Sequence, residues 1–105
     1  MEQANSEYID QLSGDNVEFR KKIIEILKRE LPEEVGTYFD QIQNKNYLLA
    51  AESVHKLKHK ISILGLNKSY YIAEQFEDNL KDNSTELLSD FDAIIKIMQD
   101  FVGKL

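Results

Sequence analysis

The stretch YLLAAESVHKLKHKISILG, residues 47–65, decides how the rest of the chain is read. Tyr47, Ala50, Val54, Leu57, Ile61 and Leu64 recur at alternating steps of three and four, the seam spacing of a bundle helix. Gly65 closes the segment, because glycine best tolerates the left-handed conformation of a helix C-terminal cap. Both histidines, His55 and His59, lie in this helix with Lys56, Lys58 and Lys60. At about 100° per residue the seam centres between Val54 and Leu57, which leaves His55 on the solvent-facing flank. Lys58 and Ser62 lie close to it, and His59 follows one turn on.

Outward from this helix the same periodicity covers the chain. Residues 4–12 read as a short opening helix with Ile9 and Leu12 one turn apart. Ser13-Gly14-Asp15-Asn16 is a turn, and Asp15 with Glu18 has the form of a capping box. Phe19, Ile23, Ile26 and Leu27 follow as an apolar stripe. Pro32 lacks a backbone donor and crowds the preceding turn, so a kink or break is expected there before the stripe resumes at Val35, Phe39 and Ile42. After Leu66-Asn67, Ala73, Phe76 and Leu80 share a face. Beyond the turn at Asp82-Asn83-Ser84, where Asn83 and Glu86 are candidate caps, a last helix presents Leu87, Phe91, Ile94, Met98, Phe101 and Leu105. No strand pattern competes. Four substantial amphipathic helices with short connections predict an all-α, antiparallel up-down four-helix bundle preceded by a short N-terminal helix. The apolar stripes, with Tyr47, Phe76 and Phe91, read as core.

Composition narrows the function. The 105 residues suit one domain spanning 1–105, without internal repeats or low-complexity linkers. The absence of cysteine removes thiolate metal sites, disulfides and a cysteine nucleophile, and fits a cytoplasmic setting. No apolar run approaches membrane-spanning length, and the start shows no basic-then-apolar signal pattern, so neither a membrane nor a secretory route is expected. A net charge of −6 argues against nucleic acid. The lysines around His55 are a local exception, suited to one small anion.

An exposed neutral imidazole is a competent nucleophile near neutral pH when its tautomer is fixed and its other nitrogen faces solvent. Glu77 follows the seam residue Phe76 as His55 follows Val54, placing both on flanks of adjacent helices. A carboxylate there, accepting from Nδ1–H, would leave Nε2 bare. Lys58 would then offset the charge of a phosphoryl group on Nε2.

In this pattern the chain resembles the histidine-containing phosphotransfer (HPt) domains of two-component phosphorelays, whose signature is His-x-Leu-Lys-Gly followed by small residues and a second glycine. His55, Leu57, Lys58 and Gly65 fall at signature positions, and Glu77 falls where the family places the residue that orients the histidine. The Gly14-Asp15 turn, the helix with Phe19 and the overall length also match. The resemblance implies a cytoplasmic phosphocarrier, with no autokinase site, that bears phosphate on His55 between receiver-domain aspartates. Its implied partners are response-regulator receiver domains and a hybrid sensor histidine kinase. The carrier itself would be a monomer holding no cofactor, with Mg expected on the partner receiver. The initiating Met1 suggests a freestanding chain. One position departs: His59 replaces the family's first glycine, where it would narrow access, select receivers or touch the phosphoryl group.

Plainer readings stand beside these. A receiver-binding adaptor that has lost phosphotransfer would keep the fold with His59 blocking the site. His55 and His59 at i and i+4 are also a possible zinc pair, with Glu74 or Glu77 as third ligand. Glu77 has a second partner in Lys81 at i+4. Lys56 and Lys60 read as solvated charges. Leu48 and Ala51, turned towards the His55 side, suggest an exposed apolar docking patch.

Overall fold

The computed structural model describes residues 2–105; Met1, on which the expectation of a freestanding chain rests, lies outside them. Among the described residues all regular structure is helical: α1 (Glu7–Ser13), α2 (Val17–Gln43), α3 (Tyr47–Ile63), α4 (Asn67–Lys81) and α5 (Leu88–Gly103). Helix α2 packs against α1, α3 and α5, and α4 packs against α3 and α5, so the four longer helices close a ring of contacts around one core. The longest dimension, 45 Å, is close to the ~40 Å expected for a straight helix the length of α2.

Pro32 does not interrupt α2, which runs through it for 27 residues. The proline is exposed, while Leu31, Val35 and Tyr38 on the opposite face are buried. Burying each such side chain contributes roughly 1.5–3 kcal/mol, together more than the ~3 kcal/mol an interior proline costs. Continuity also fixes the phase of the second half. Tyr38, not Phe39, enters the core; Phe39 remains 42% exposed. The Tyr38 ring meets Phe91 at 5.2 Å and Phe76 at 6.3 Å, and Phe76 meets Phe91 at 5.1 Å. Three aromatic rings thus join α2, α4 and α5 in the interior. Burial, followed by the neighbouring Asp92 carboxylate 3.4 Å from the hydroxyl, pushes the Tyr38 phenol well above its ordinary pKa.

Helices α2, α3 and α4 each end in the same pair of backbone bonds, a Schellman cap. In α2 the amides of Asn46 and Lys45 reach Gln41 and Ile42; in α3 those of Leu66 and Gly65 reach Ile61 and Ser62; in α4 those of Ser84 and Asn83 reach Asn79 and Leu80. The left-handed position falls on Lys45, Gly65 and Asn83 respectively. Two sequence-derived caps shift. The amide of Phe19 is accepted by the Asn16 side chain at 3.0 Å, not by Asp15. Helix α5 begins without a side-chain cap, after a left-handed Leu87.

The chain's first residues brace the α3–α4 corner. The Asn5 amide donates to the Leu64 carbonyl at 2.9 Å, and a Cβ on Gly65 would approach the Asn5 amide nitrogen to 2.5 Å. Leu66 offers α4 no side-chain cap. Glu2 supplies it instead, accepting the Lys68 and Ser69 amides at 2.8 Å each and the Ser69 hydroxyl at 2.9 Å. No helix is long and apolar enough to cross a membrane among the described residues.

Candidate functional site

Helix α3 is buried over about half its circumference, because it packs on both α2 and α4. One edge of the buried arc is Ser53 and Lys60; the other is Ala51 and Lys58. Ala51 is therefore fully buried and takes no part in a surface patch, contrary to the expectation from the sequence. The buried arc is centred on the seam, but a helix in contact with two neighbours buries a wider face than a two-helix seam. Leu48 is 67% exposed. Lys60, expected in solvent, is buried and bonds Glu30 at 3.0 Å and Glu34 at 2.8 Å on α2. Lys56 is exposed as its position implied.

His55 lies just beyond the buried edge, its side chain 55% exposed. Nδ1 is 3.3 Å from each carboxylate oxygen of Glu77, on α4. The same carboxylate accepts from Lys58 Nζ at 2.9 Å and lies 3.4 Å from Lys81 Nζ, one turn on along α4. Burial opposes ionisation of Glu77, but Lys58, His55 and Lys81 outweigh it and hold its carboxyl below the usual range. Burial likewise disfavours the Lys58 ammonium, and Glu77 more than restores it. An ionised carboxylate can only accept, so the proton of the neutral imidazole belongs on Nδ1 and the lone pair on Nε2, the nitrogen away from Glu77.

Lys58 thus has a different placement from the one its spacing suggested. Its ammonium is buried, bound to Glu77 and 5.5 Å above the Tyr70 ring. It fixes the charge of Glu77 rather than facing solvent beside the imidazole. The reason is tertiary: Lys58 falls on the α4 side of α3, where a carboxylate and an aromatic face await it.

His59 is exposed, its ring 5.4 Å from that of His55 and tilted by 75°. It borders a groove of about 480 Å³ shared by Tyr8, Ser62, Ile63, Asn67, Tyr70 and Tyr71. Ser62 is exposed on the groove wall, and Gly65 lies beyond it in the α3 cap. His55, Lys58 and Glu77 are therefore brought together, His59 adjoins them, and Ser62 and Gly65 lie further along the same edge. Among the described residues no group of three His, Cys, Asp or Glu is placed to hold a metal ion.

Two contributors escaped sequence reasoning. Tyr70 covers Lys58, and Glu2 fixes the start of the helix that carries Glu77. A Tyr-Tyr pair one turn into a helix carries no signal of what it covers. A capping carboxylate 66 residues before the amide it binds has no local spacing to betray it. Comparison of the chain with family models, with curated proteins and with solved structures finds no match.

Proposed function

We propose that the protein is an HPt-like phosphorelay intermediate that carries a phosphoryl group on Nε2 of His55 between receiver-domain aspartates. The observation that carries this reading is a half-exposed imidazole held through Nδ1 by a buried, ionised carboxylate. In this reading α2–α5 form an antiparallel up-down four-helix bundle, for which the ring of contacts is the support. The partners are response-regulator receivers and a hybrid sensor histidine kinase, met in the cytoplasm by a monomeric carrier.

The chemistry follows from the tautomer. The Nε2 lone pair attacks phosphorus of the aspartyl phosphate. The Nε2–P bond forms as the P–O bond to the aspartate breaks, and the electron pair returns to that carboxylate. No proton has to leave Nε2. The ring gains positive charge while Nδ1–H stays donated to Glu77, whose negative charge offsets it. A Mg ion on the receiver would supply most of the neutralisation of the phosphoryl oxygens, and the bundle supplies position. Passage to the next aspartate is the reverse.

The test incubates the full chain with a phosphorylated receiver and follows acid-labile phosphate. Label is expected on the wild-type protein and absent from His55→Ala. Label retained by His55→Ala and lost from His59→Ala would reassign the acceptor. A second reading, a non-catalytic receiver-binding adaptor, is favoured by the His59 ring at 5.4 Å from His55. Receiver binding without transfer from any phosphorylated donor would establish it.

A further inference from the structure

Because Lys58 is committed to Glu77 behind the imidazole, a phosphoryl group on the outer nitrogen of His55 needs another donor. At about 100° per residue the order round α3 is Lys58, His55, His59, so His59 lies on the side of His55 opposite Lys58 and Glu77. With Nδ1 turned to Glu77, Nε2 faces away from that carboxylate, and His59 is the next side chain round the helix on the far side. A phosphoryl oxygen stands two bonds beyond Nε2, a reach comparable with the gap between rings 5.4 Å apart.

Resting on the reading of His55 as phosphate carrier, we propose that His59 is a direct ligand of the phosphoryl group. A ring N–H of His59 donates to a phosphoryl oxygen on His55, so that carrying phosphate and protonating His59 favour one another. The groups facing His59 fit this role. Its own helix presents His55 and Ser62, with the exposed Glu52 two turns before it on the same face; α1 presents Tyr8; α4 presents Asn67, Tyr70 and Tyr71. Among the described residues no carboxylate lies within 4.0 Å of its ring nitrogens. A phosphoryl dianion would be the strongest anionic partner of this imidazole, and an opposite charge at such range favours the charged form.

The experiment uses the full chain with isotope-labelled histidine rings, phosphorylated by phosphoramidate. Nε2–P forms as the reagent's P–N bond breaks and ammonia leaves. NMR then follows the His59 ring titration before and after loading, and the 31P titration of the phosphoryl group. The His59 midpoint is expected to rise by about one pH unit on loading. By reciprocity the phosphoryl midpoint should lie higher in His59→Phe, which keeps the ring bulk without the donor, than in wild type. Phosphate on His55 with an unmoved His59 midpoint, or an unmoved phosphoryl midpoint in His59→Phe, overturns this inference and leaves the carrier reading standing. Phosphate absent from His55, or present on His59 alone, overturns both.

Discussion

Two lysines and an imidazole converge on the Glu77 carboxylate, and substitutions there separate orientation from charge. Glu77→Ala removes the acceptor for Nδ1–H and leaves the Lys58 ammonium buried and unpaired. Under the proposed function, transfer to His55 is expected to slow roughly 10- to 100-fold as the ring loses its fixed tautomer and aim. Glu77→Gln keeps an acceptor oxygen but not the charge, and should transfer at a rate between alanine and wild type. Equal rates for all three proteins in a receiver-transfer assay would remove the orienting role. Lys60 offers a contrast on the other edge of α3. Its ammonium is held by Glu30 and Glu34 away from the histidine, so Lys60→Ala is expected to cost on the order of 2 kcal/mol in urea unfolding. Lys60→Met, which retains the stem packing, should cost less. An unchanged midpoint in both variants would show that the ion pairs contribute nothing.

Helix ends carry the next level of control. Lys45 occupies a left-handed position with φ of 58° in the α2 cap, where Gly65 serves α3. Its side chain is exposed, so Lys45→Gly relieves the Cβ strain without loss of packing and is expected to stabilise by about 0.5–1 kcal/mol. The same change at Leu87, also left-handed, would forfeit a half-buried apolar side chain and is not an equivalent test. Glu2 acts on α4 from a distance. Glu2→Ala strips the start of that helix of its side-chain acceptor and should cost about 1 kcal/mol in thermal or urea unfolding. Amide exchange at Lys68 and Ser69 is expected to accelerate in the variant; unaltered exchange would refute the bracing role.

For the whole molecule, ionisation links stability to pH from both sides. Burial opposes ionisation of Glu2 and Glu77, yet hydrogen bonds and nearby cations leave both folded pKa values below the ordinary glutamate value of 4.5. Lys60 lowers that of Glu30 as well. Their stabilisation is therefore present above about 4.5 and is lost as pH falls through the lower folded values. Asp92 works the other way, since burial raises its carboxyl pKa despite the Tyr38 hydroxyl. Lys58 and Lys60, both raised above 10.5 by their carboxylate partners against the cost of burial, contribute stability that disappears as pH climbs through the folded values. Urea midpoints are expected to decline below about pH 4 and again above about pH 10.5. Glu77→Gln should flatten the acid limb, and an acid limb identical to wild type would exclude Glu77 from it.

The helical class, the five elements and the α3 seam were legible in the chain because they depend on local periodicity, caps and breaks. Tyr47 to Leu64 states a helix whatever surrounds it. The sequence also put His55 and Glu77 on matching flanks of adjacent helices, but only the structure set them at the same height. Local rules failed where a neighbour supplied the energy. Burial of Leu31, Val35 and Tyr38 carried α2 through Pro32; contact with two helices buried Ala51; Glu77 and Tyr70 drew Lys58 inward, and Glu30 and Glu34 drew Lys60. Sequence by itself determined which residues share a face. Only the tertiary structure decided how wide each face is buried and which charge answers which, because burial and pairing are set by elements distant along the chain.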